Sequence, residues 1–250
     1  MGDKETVIGY VHSLQSMGAV DGPGIRYCIF LQGCPLRCMY CHNPDTWLVS
    51  RRRESSSSYL GTPYTPEELV SKILRYKTYF ANGGGVTVSG GEPLMQAEFV
   101  TELFTLLHKE GIHTCLDTSG NFPEQLYPLL DLLLDVTDLC ICDIKFTTEK
   151  DYREYTGGSL KKVQYFLGMV TAHSVPLWVR HVVVPGYTDS VSEVGTMVKM
   201  AKQYPTLQKI ELLPFHKLCI PKYEALGIPF RCADIPECST ETINQLNLLL

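Results

Sequence analysis

From Ile25 onward this chain alternates short β-branched apolar runs with longer segments of helical periodicity, and that alternation limits the fold more than any other feature. The strand candidates are 25–32, 85–89, 113–117, 139–145, 177–184 and 208–214. Several are near-continuous apolar runs, as parallel strands covered on both faces require. The helices between them carry end signals. Thr65-Pro66-Glu67-Glu68 is a capping box with proline at the first helical position, after which Leu69, Ile73, Tyr76 and Phe80 follow one face. Val100, Leu103, Phe104 and Leu107 mark a second helix that stops at Gly111. Further helices are expected over 123–134, 161–173 and 192–204. Repeated β–α units predict a parallel sheet with right-handed crossovers. Six units are too few to close an eight-stranded barrel.

The unusual polar residues fall in phase with those strands. Cys34 follows the first, Ser89-Gly90-Gly91-Glu92 the second, and Asp117 the third; Asp143 with Lys145 ends the fourth, Arg180 lies in the fifth, and His216 follows the sixth. In a barrel-like α/β fold such ends gather at one rim, where active sites form. Scattered surface polars would not recur with the strand period.

Composition narrows the class. At 250 residues and 44% hydrophobic content, 1–250 reads as a single domain with a sizeable core. The net charge of −5 is mixed along the chain, so neither a nucleic-acid footprint nor a charged tail is expected. No stretch has the length and apolarity of a membrane span. Residues 1–6 lack an apolar signal stretch and match a myristoylation pattern only formally, as chance allows. The polar, serine-rich run 51–58 reads as a mobile loop near 50–62. The Leu248–Leu250 ending is abrupt for a final helix, as in a chain cut slightly short. The ten cysteines are too many and too dispersed for a small secreted disulfide scaffold, and point to a reducing compartment such as the cytosol.

Residues 33–43 read Gly-Cys-Pro-Leu-Arg-Cys-Met-Tyr-Cys-His-Asn, a C-x3-C-x2-C triplet. Thiolates from Cys34, Cys38 and Cys41 can hold three irons of a cubane and leave the fourth open to a substrate or cofactor. Four-cysteine cages close a cluster and suit it to electron transfer. A structural zinc site would want four ligands in two pairs, and only His42 lies close, poorly placed beside Cys41. An iron–sulfur cluster is favoured over zinc, and zinc over disulfides. Cys28, Cys115, Cys140 and Cys142 sit in apolar runs as small hydrophobes, whereas Cys219, Cys232 and Cys238 are too loosely spaced for a second cluster.

The triplet, with Tyr40 as the aromatic in C-x3-C-x-aromatic-C, resembles the signature of radical S-adenosylmethionine enzymes. Its flanks, Val20-Asp21-Gly22-Pro23-Gly24-Ile25-Arg26 and Cys41-His42-Asn43-Pro44-Asp45-Thr46-Trp47, resemble those of glycyl-radical-enzyme activases. The resemblance runs from about Ile8 to about His216 and is closest to the subgroup that acts on pyruvate formate-lyase. Many other activases carry a ferredoxin-like insertion with extra cysteines; none occurs between Cys41 and Cys115, so 1–250 is expected to be a core domain without it.

The resemblance implies a partial (β/α)6 barrel of the TIM type and an oxidoreductase that holds a [4Fe–4S] cluster and S-adenosylmethionine. It implies cofactor contacts from Gly90, Gly91 and Glu92, with the glycines allowing close backbone approach and Glu92 adding charge or holding the turn. Asp143, Ile144 and Lys145 match an Asp-x-Lys segment, the acid suited to ribose hydroxyls and the lysine to the cofactor carboxylate. Arg180 suits that carboxylate too. Tyr40 and His42 are implied beside the adenine, and His216 near the ribose or adenine. Asp117, Thr118, Ile141 through its carbonyl, and Asp143 resemble a monovalent-cation site. Ser119 stands where related enzymes often have asparagine. No side chain is given a catalytic role, since the radical chemistry belongs to the cluster and the sulfonium.

The partners implied are pyruvate formate-lyase and a one-electron donor such as flavodoxin or ferredoxin. The alternatives are another glycyl-radical enzyme as substrate, or a non-catalytic iron–sulfur electron carrier that would show no spectral response to S-adenosylmethionine.

Overall fold

A computed structural model, which describes residues 6–48 and 61–250, gathers the strands into one eight-stranded sheet. The polar loop expected near 50–62 lies outside the described residues apart from Gly61 and Thr62, as do residues 1–5. In chain order the strands are β1 (Gly9–Gly18), β2 (Arg26–Leu31), β3 (Thr62–Tyr64), β4 (Gly85–Gly90), β5 (His113–Thr118), β6 (Leu139–Asp143), β7 (Leu177–Val183) and β8 (Leu207–Pro214). The spatial order is β3-β1-β2-β4-β5-β6-β7-β8, so β3 and β8 are the edges of an open, partial barrel.

The six strands expected from the sequence, β2 and β4 to β8, pair in parallel and in sequence order. Their burial explains their legibility: Val86, Val88, Leu116 and Cys140 on one face and Cys28, Cys115 and Ile141 on the other are fully buried, so both faces must be apolar. The two remaining strands were not expected. β1 runs antiparallel to β2, and β3 antiparallel to β1. A long solvated stretch of β1, with Ser13, Gln15 and Ser16, dilutes its apolar signal, and β3 is only a three-residue edge.

The helices are α1 (Pro66–Ile73), α2 (Ala97–Lys109), α3 (Leu130–Leu134), α4 (Glu149–Thr156), α5 (Leu160–Ala172), α6 (Val191–Ala201), α7 (Ile220–Leu226) and α8 (Thr240–Asn247). The capping box at Thr65 forms in full, with Glu68 N donating to Thr65 Oγ1 and Thr65 N to Glu68 Oε2. Beyond Ile73 the expected helix tightens into a 3-10 segment, Leu74–Phe80. The helix expected over 123–134 is half 3-10 (Glu124–Leu129) because Pro128 cannot donate to an α-helical ladder. Helices α4, α7 and α8 were not expected, although α4 carries a Thr148 cap and a left-handed Gly157 at its end.

One main core lies between sheet and helices, with Phe99, Phe104, Phe166 and Phe215 fully enclosed. Truncating any of them to alanine would cost about 3–5 kcal/mol. Cys28, Cys115, Cys140 and Cys142 are wholly buried, as small hydrophobes should be, and all ten cysteines are free thiols. Arg26, the last residue of the upstream flank, is also wholly buried. Its guanidinium donates to Thr87 Oγ1 (2.9 Å) and to Val86 O, and meets His113 Nδ1 at 3.2 Å, which fastens β2, β4 and β5 together. Among the described residues, no helix is long and apolar enough to cross a membrane.

Candidate active site

The carboxyl ends of β2, β4, β5, β6 and β7 converge on a cavity of about 340 Å³. Cys34, Cys38, Tyr40, Cys41 and His42 form one wall of it. Gly90 and Gly91 form a second, and Asp117, Thr118, Asp143, Lys145 and Arg180 a third. The phase of polar residues with the strands therefore translates into one site.

The cysteine loop is held by the backbone on both sides. Gly33 N donates to Thr46 O (2.7 Å), and Gln32 Nε2 donates to Asp45 O and Leu48 O (2.9 Å each). From the other side Arg37 N and Met39 N donate to Thr156 O and Tyr155 O (2.7 and 2.8 Å), carbonyls at the end of α4. Arg37 also closes the loop on itself through Cys34 O and Leu36 O.

The three thiols fit a cubane by their chemistry. Burial raises the pKa of each; for Cys38 the thiol is pushed up to about 12. As thiolates they therefore need strongly bound cations beside them, which irons supply. Among the described residues, no group of three or more His, Cys, Asp or Glu converges on a single metal ion. A cubane makes no such demand, since each thiolate takes a different corner.

Gly90 and Gly91 have a tighter constraint than cofactor approach. A Cβ on Gly91 would lie 2.2 Å from Gly33 O, and one on Gly90 (φ +108°) 2.3 Å from Leu31 N. The glycines thus let β4 pack directly against the root of the cysteine loop. Glu92 does not line the cavity; it is wholly buried behind it. Its carboxylate accepts from Leu94 N (3.1 Å), Thr118 Oγ1 (2.5 Å), Ser119 N (2.9 Å) and Ser119 Oγ (2.5 Å). Burial raises its pKa, and the Ser119 and Thr118 bonds oppose that. Of the two roles raised for Glu92, holding the turn is the one its surroundings satisfy.

Asp143 and Lys145 both face the cavity and pair at 2.6 Å, while Ile144 between them turns its side chain into the core. Both backbone groups of Ile144 are engaged: its N–H donates to Arg180 O (3.0 Å), and His181 Nδ1 meets its carbonyl at 2.6 Å. Burial works against the Lys145 ammonium, but Asp143 and Cys38 raise its pKa well above the ordinary value. Burial lifts Asp117 to about 6, against the pull of Arg180. Arg180 itself is committed on three sides: Nε to Glu211 Oε2 (2.9 Å), Nη1 to Asp117 Oδ2 (3.4 Å) and Nη2 to Val20 O (2.6 Å). Ile141 has its side chain in a small core cluster with Cys115 and Leu139, so only its carbonyl is available for a cation.

His216 does not line the cavity either. Its ring packs against that of His42, tilted by 38° with centroids 4.0 Å apart, one layer outside. His42 Nε2 meets His216 O at 3.1 Å, and burial followed by His216 lowers the His42 pKa to about 4. The neutral ring therefore donates from Nε2. Among the residues that shape the site without having been assigned to it, three stand out. Glu211 holds Arg180, and Asp21 and Trp47 line the cavity. The last two were visible in the flanking motifs; Glu211 left no signal, because its partner lies on another strand.

An open α/β half-barrel with three free thiols on its rim is the architecture of radical SAM enzymes, and residues 28–198 match the model of the radical SAM superfamily. The chain is 42% identical over 245 residues to the pyruvate formate-lyase-activating enzyme of Clostridium pasteurianum, spanning 98% of each protein. It is 40% identical over 239 residues to the enzyme of that name from Staphylococcus aureus (strain COL), spanning 94% of this chain and 92% of the relative. The chain therefore belongs to the radical SAM superfamily and, within it, to the pyruvate formate-lyase-activating enzyme family. Its fold is shared with QueE from Escherichia coli at a TM-score of 0.53 and 19% identity, over 88% of this chain and 92% of that one. Membership implies a [4Fe–4S] cluster and S-adenosylmethionine as its cofactors.

Proposed function

We propose that this protein activates pyruvate formate-lyase by installing a glycyl radical in it. The observation that carries this reading is near-full-length identity to enzymes of that name, joined to three thiols at the mouth of one strand-end cavity. When bound, the cluster and S-adenosylmethionine supply one-electron chemistry: reductive cleavage of the sulfonium and abstraction of a hydrogen atom from the target glycine.

The chain's own residues supply position and enclosure. Cys34, Cys38 and Cys41 would hold three irons and leave one for the cofactor's amino acid end. Gly90 and Gly91 would bring bare backbone against that end. Lys145 would meet the carboxylate and Asp143 the ribose hydroxyls; their mutual pair at 2.6 Å would exchange for those contacts. Tyr40 and His42 would flank the adenine, with His216 steadying His42 from behind. With Arg180 committed to Asp117, Glu211 and Val20, its role would be to hold the rim rather than to bind the cofactor directly. Asp117, Thr118, Asp143 and the Ile141 carbonyl would take a monovalent cation. The substrate would be a peptide loop entering at the rim. Such a protein would work in the cytoplasm with a one-electron donor such as flavodoxin or ferredoxin.

The test is anaerobic incubation with pyruvate formate-lyase, a chemical reductant and S-adenosylmethionine. A glycyl-radical paramagnetic signal is expected, with 5′-deoxyadenosine carrying deuterium when the target glycine is α-deuterated. A radical in a different partner but none in pyruvate formate-lyase would refute the named substrate. Cofactor cleavage without deuterium transfer to any glycyl-radical enzyme would refute the activase reading.

A further inference from the structure

Asp143 is the last residue of β6 paired to β7, and beyond it the chain leaves the sheet through residues 144–147. Lys145 is the side chain of that exit that faces the cavity, while Ile144, Phe146 and Thr147 are buried away from it. The exit is fastened at both ends. Thr147 N and Oγ1 both donate to Glu193 Oε1 of α6, at 3.2 and 2.6 Å. At the other end Ile144 N donates to Arg180 O (3.0 Å), and the Ile144 carbonyl meets His181 Nδ1 at 2.6 Å. Successive strand residues point to opposite faces. Arg180 accordingly lines the cavity, and His181 beside it is turned into the protein and only 1% exposed.

The His181 ring is used on one side. A carbonyl oxygen only accepts, so the proton sits on Nδ1 and the ring donates it. Burial lowers the pKa of the ring against the Ile144 bond, which keeps it neutral. Nε2 is buried without a hydrogen-bond partner. An open polar atom of that kind is a cost, and an apolar side chain in its place would avoid it. What an apolar side chain could not supply is the donor to Ile144 O, the carbonyl at the root of Lys145. That root matters because a lysine carries its charge on a flexible four-carbon stem. The Lys145 side chain is only 12% exposed and pairs with Asp143 at 2.6 Å, so its ammonium can be aimed only if the backbone beneath it is fixed.

We propose that His181 is a positioning residue of the cofactor site: by donating from Nδ1 to the Ile144 carbonyl it fixes the backbone at Lys145 and directs the ammonium at the S-adenosylmethionine carboxylate. The proposal rests on the contact assigned to Lys145 under the activase reading. His181 touches neither cofactor nor substrate; it acts through the chain segment it holds.

The experiment is a double-mutant cycle on the reconstituted, cluster-loaded protein, read as the equilibrium dissociation constant for S-adenosylmethionine, with iron content measured alongside. His181→Leu removes the donor and should weaken binding about tenfold at the parent's iron content, the usual worth of a hydrogen bond of this kind. His181→Asn carries its amide nitrogen where Nδ1 stands, and should bind within about threefold of the parent, less than the half-decade that a single such bond is worth. Lys145→Met should weaken binding at least about tenfold, and adding His181→Leu to it should change the constant by less than about twofold, because residues acting through one contact are not additive. Where His181→Leu fails to hold the cluster, His181→Phe, which keeps a ring, replaces it in the cycle; failure of both would overturn the proposal in favour of a purely structural role. Parent-like binding by the donor-less variant would overturn it too, as would equal weakening with and without Lys145, or an asparagine variant as weak as leucine. Parent-like binding by Lys145→Met would overturn it together with the contact assigned to Lys145. The activase reading stands or falls separately, on the glycyl-radical signal of the parent protein.

Discussion

Glu92 and Ser119, on turns that follow neighbouring strands, are joined twice: the Ser119 amide (2.9 Å) and hydroxyl (2.5 Å) both donate to Glu92 Oε2. The other carboxylate oxygen takes Leu94 N and Thr118 Oγ1. The acid of the Gly-Gly-Glu run is thus the bolt between the ends of β4 and β5, and the cavity wall depends on it.

Replacing Glu92 by glutamine should destabilise the protein even though size and shape are kept. Either orientation of the amide sets an NH2 against a backbone N–H, of Leu94 or of Ser119, and one buried donor is left open. The expected cost is about 1–3 kcal/mol, read from the midpoint of denaturant unfolding. An unchanged midpoint with weakened S-adenosylmethionine binding would mean that Glu92 contacts the cofactor instead.

Anaerobic reconstitution should yield about one cubane cluster per chain, as this ligand type predicts. Alanine at Cys34, Cys38 or Cys41 should abolish it. Alanine at Cys219, Cys232 or Cys238 should not, although Cys232 Sγ lies 3.2 Å from Met39 O beneath the loop. Iron content and the charge-transfer absorbance decide the matter; a full cluster in Cys38→Ala would sink the ligand assignment.

Asp143→Ala should keep the cluster and weaken S-adenosylmethionine binding by roughly one to two decades, the usual worth of a hydrogen bond to a charged group. It also strips Lys145 of its 2.6 Å partner. Equilibrium binding by the variant with the same affinity as the parent would remove Asp143 from the cofactor site.

A pH-dependent contribution to stability comes from His173, which bridges Asp131 of α3 and Asp135 at its C-cap, at 2.9 Å each. Its pKa is raised on folding, chiefly by Asp131, against burial and with help from Asp135. The stabilisation is therefore fully present below the unfolded histidine pKa and is lost as pH rises through the folded one. Both acids are more than half exposed, so the gain should be about 1 kcal/mol or less. The stability difference between parent and His173→Ala should be larger at about pH 5.5 than at about pH 8.5. A difference that grows with pH would contradict the bridge.

Much of the rim was legible before any coordinates because strand ends and polar residues share one period. Asp143, Ile144 and Lys145 show it best: alternation alone sends the outer two toward the site and the middle one into the core. Glu92 and His216 were assigned to the same rim from their place in the chain, and both lie behind it. Linear position gives the strand end but not the depth of a side chain. Helix α4 escaped notice although its caps are ordinary, since its mean composition is polar and only Tyr152 and Thr156 are buried.

The sequence by itself determined six parallel strands and a three-thiol loop, because hydrophobic period and covalent spacing are local quantities. The tertiary structure decided the antiparallel edge formed by β1 and β3, the commitment of Arg180 to Asp117, Glu211 and Val20, and the ring contact of His42 with His216. Each of these joins residues far apart in the chain, as His42 and His216 are by 174 positions. Such contacts follow from how the sheet curves and where its helices pack, which no local pattern encodes.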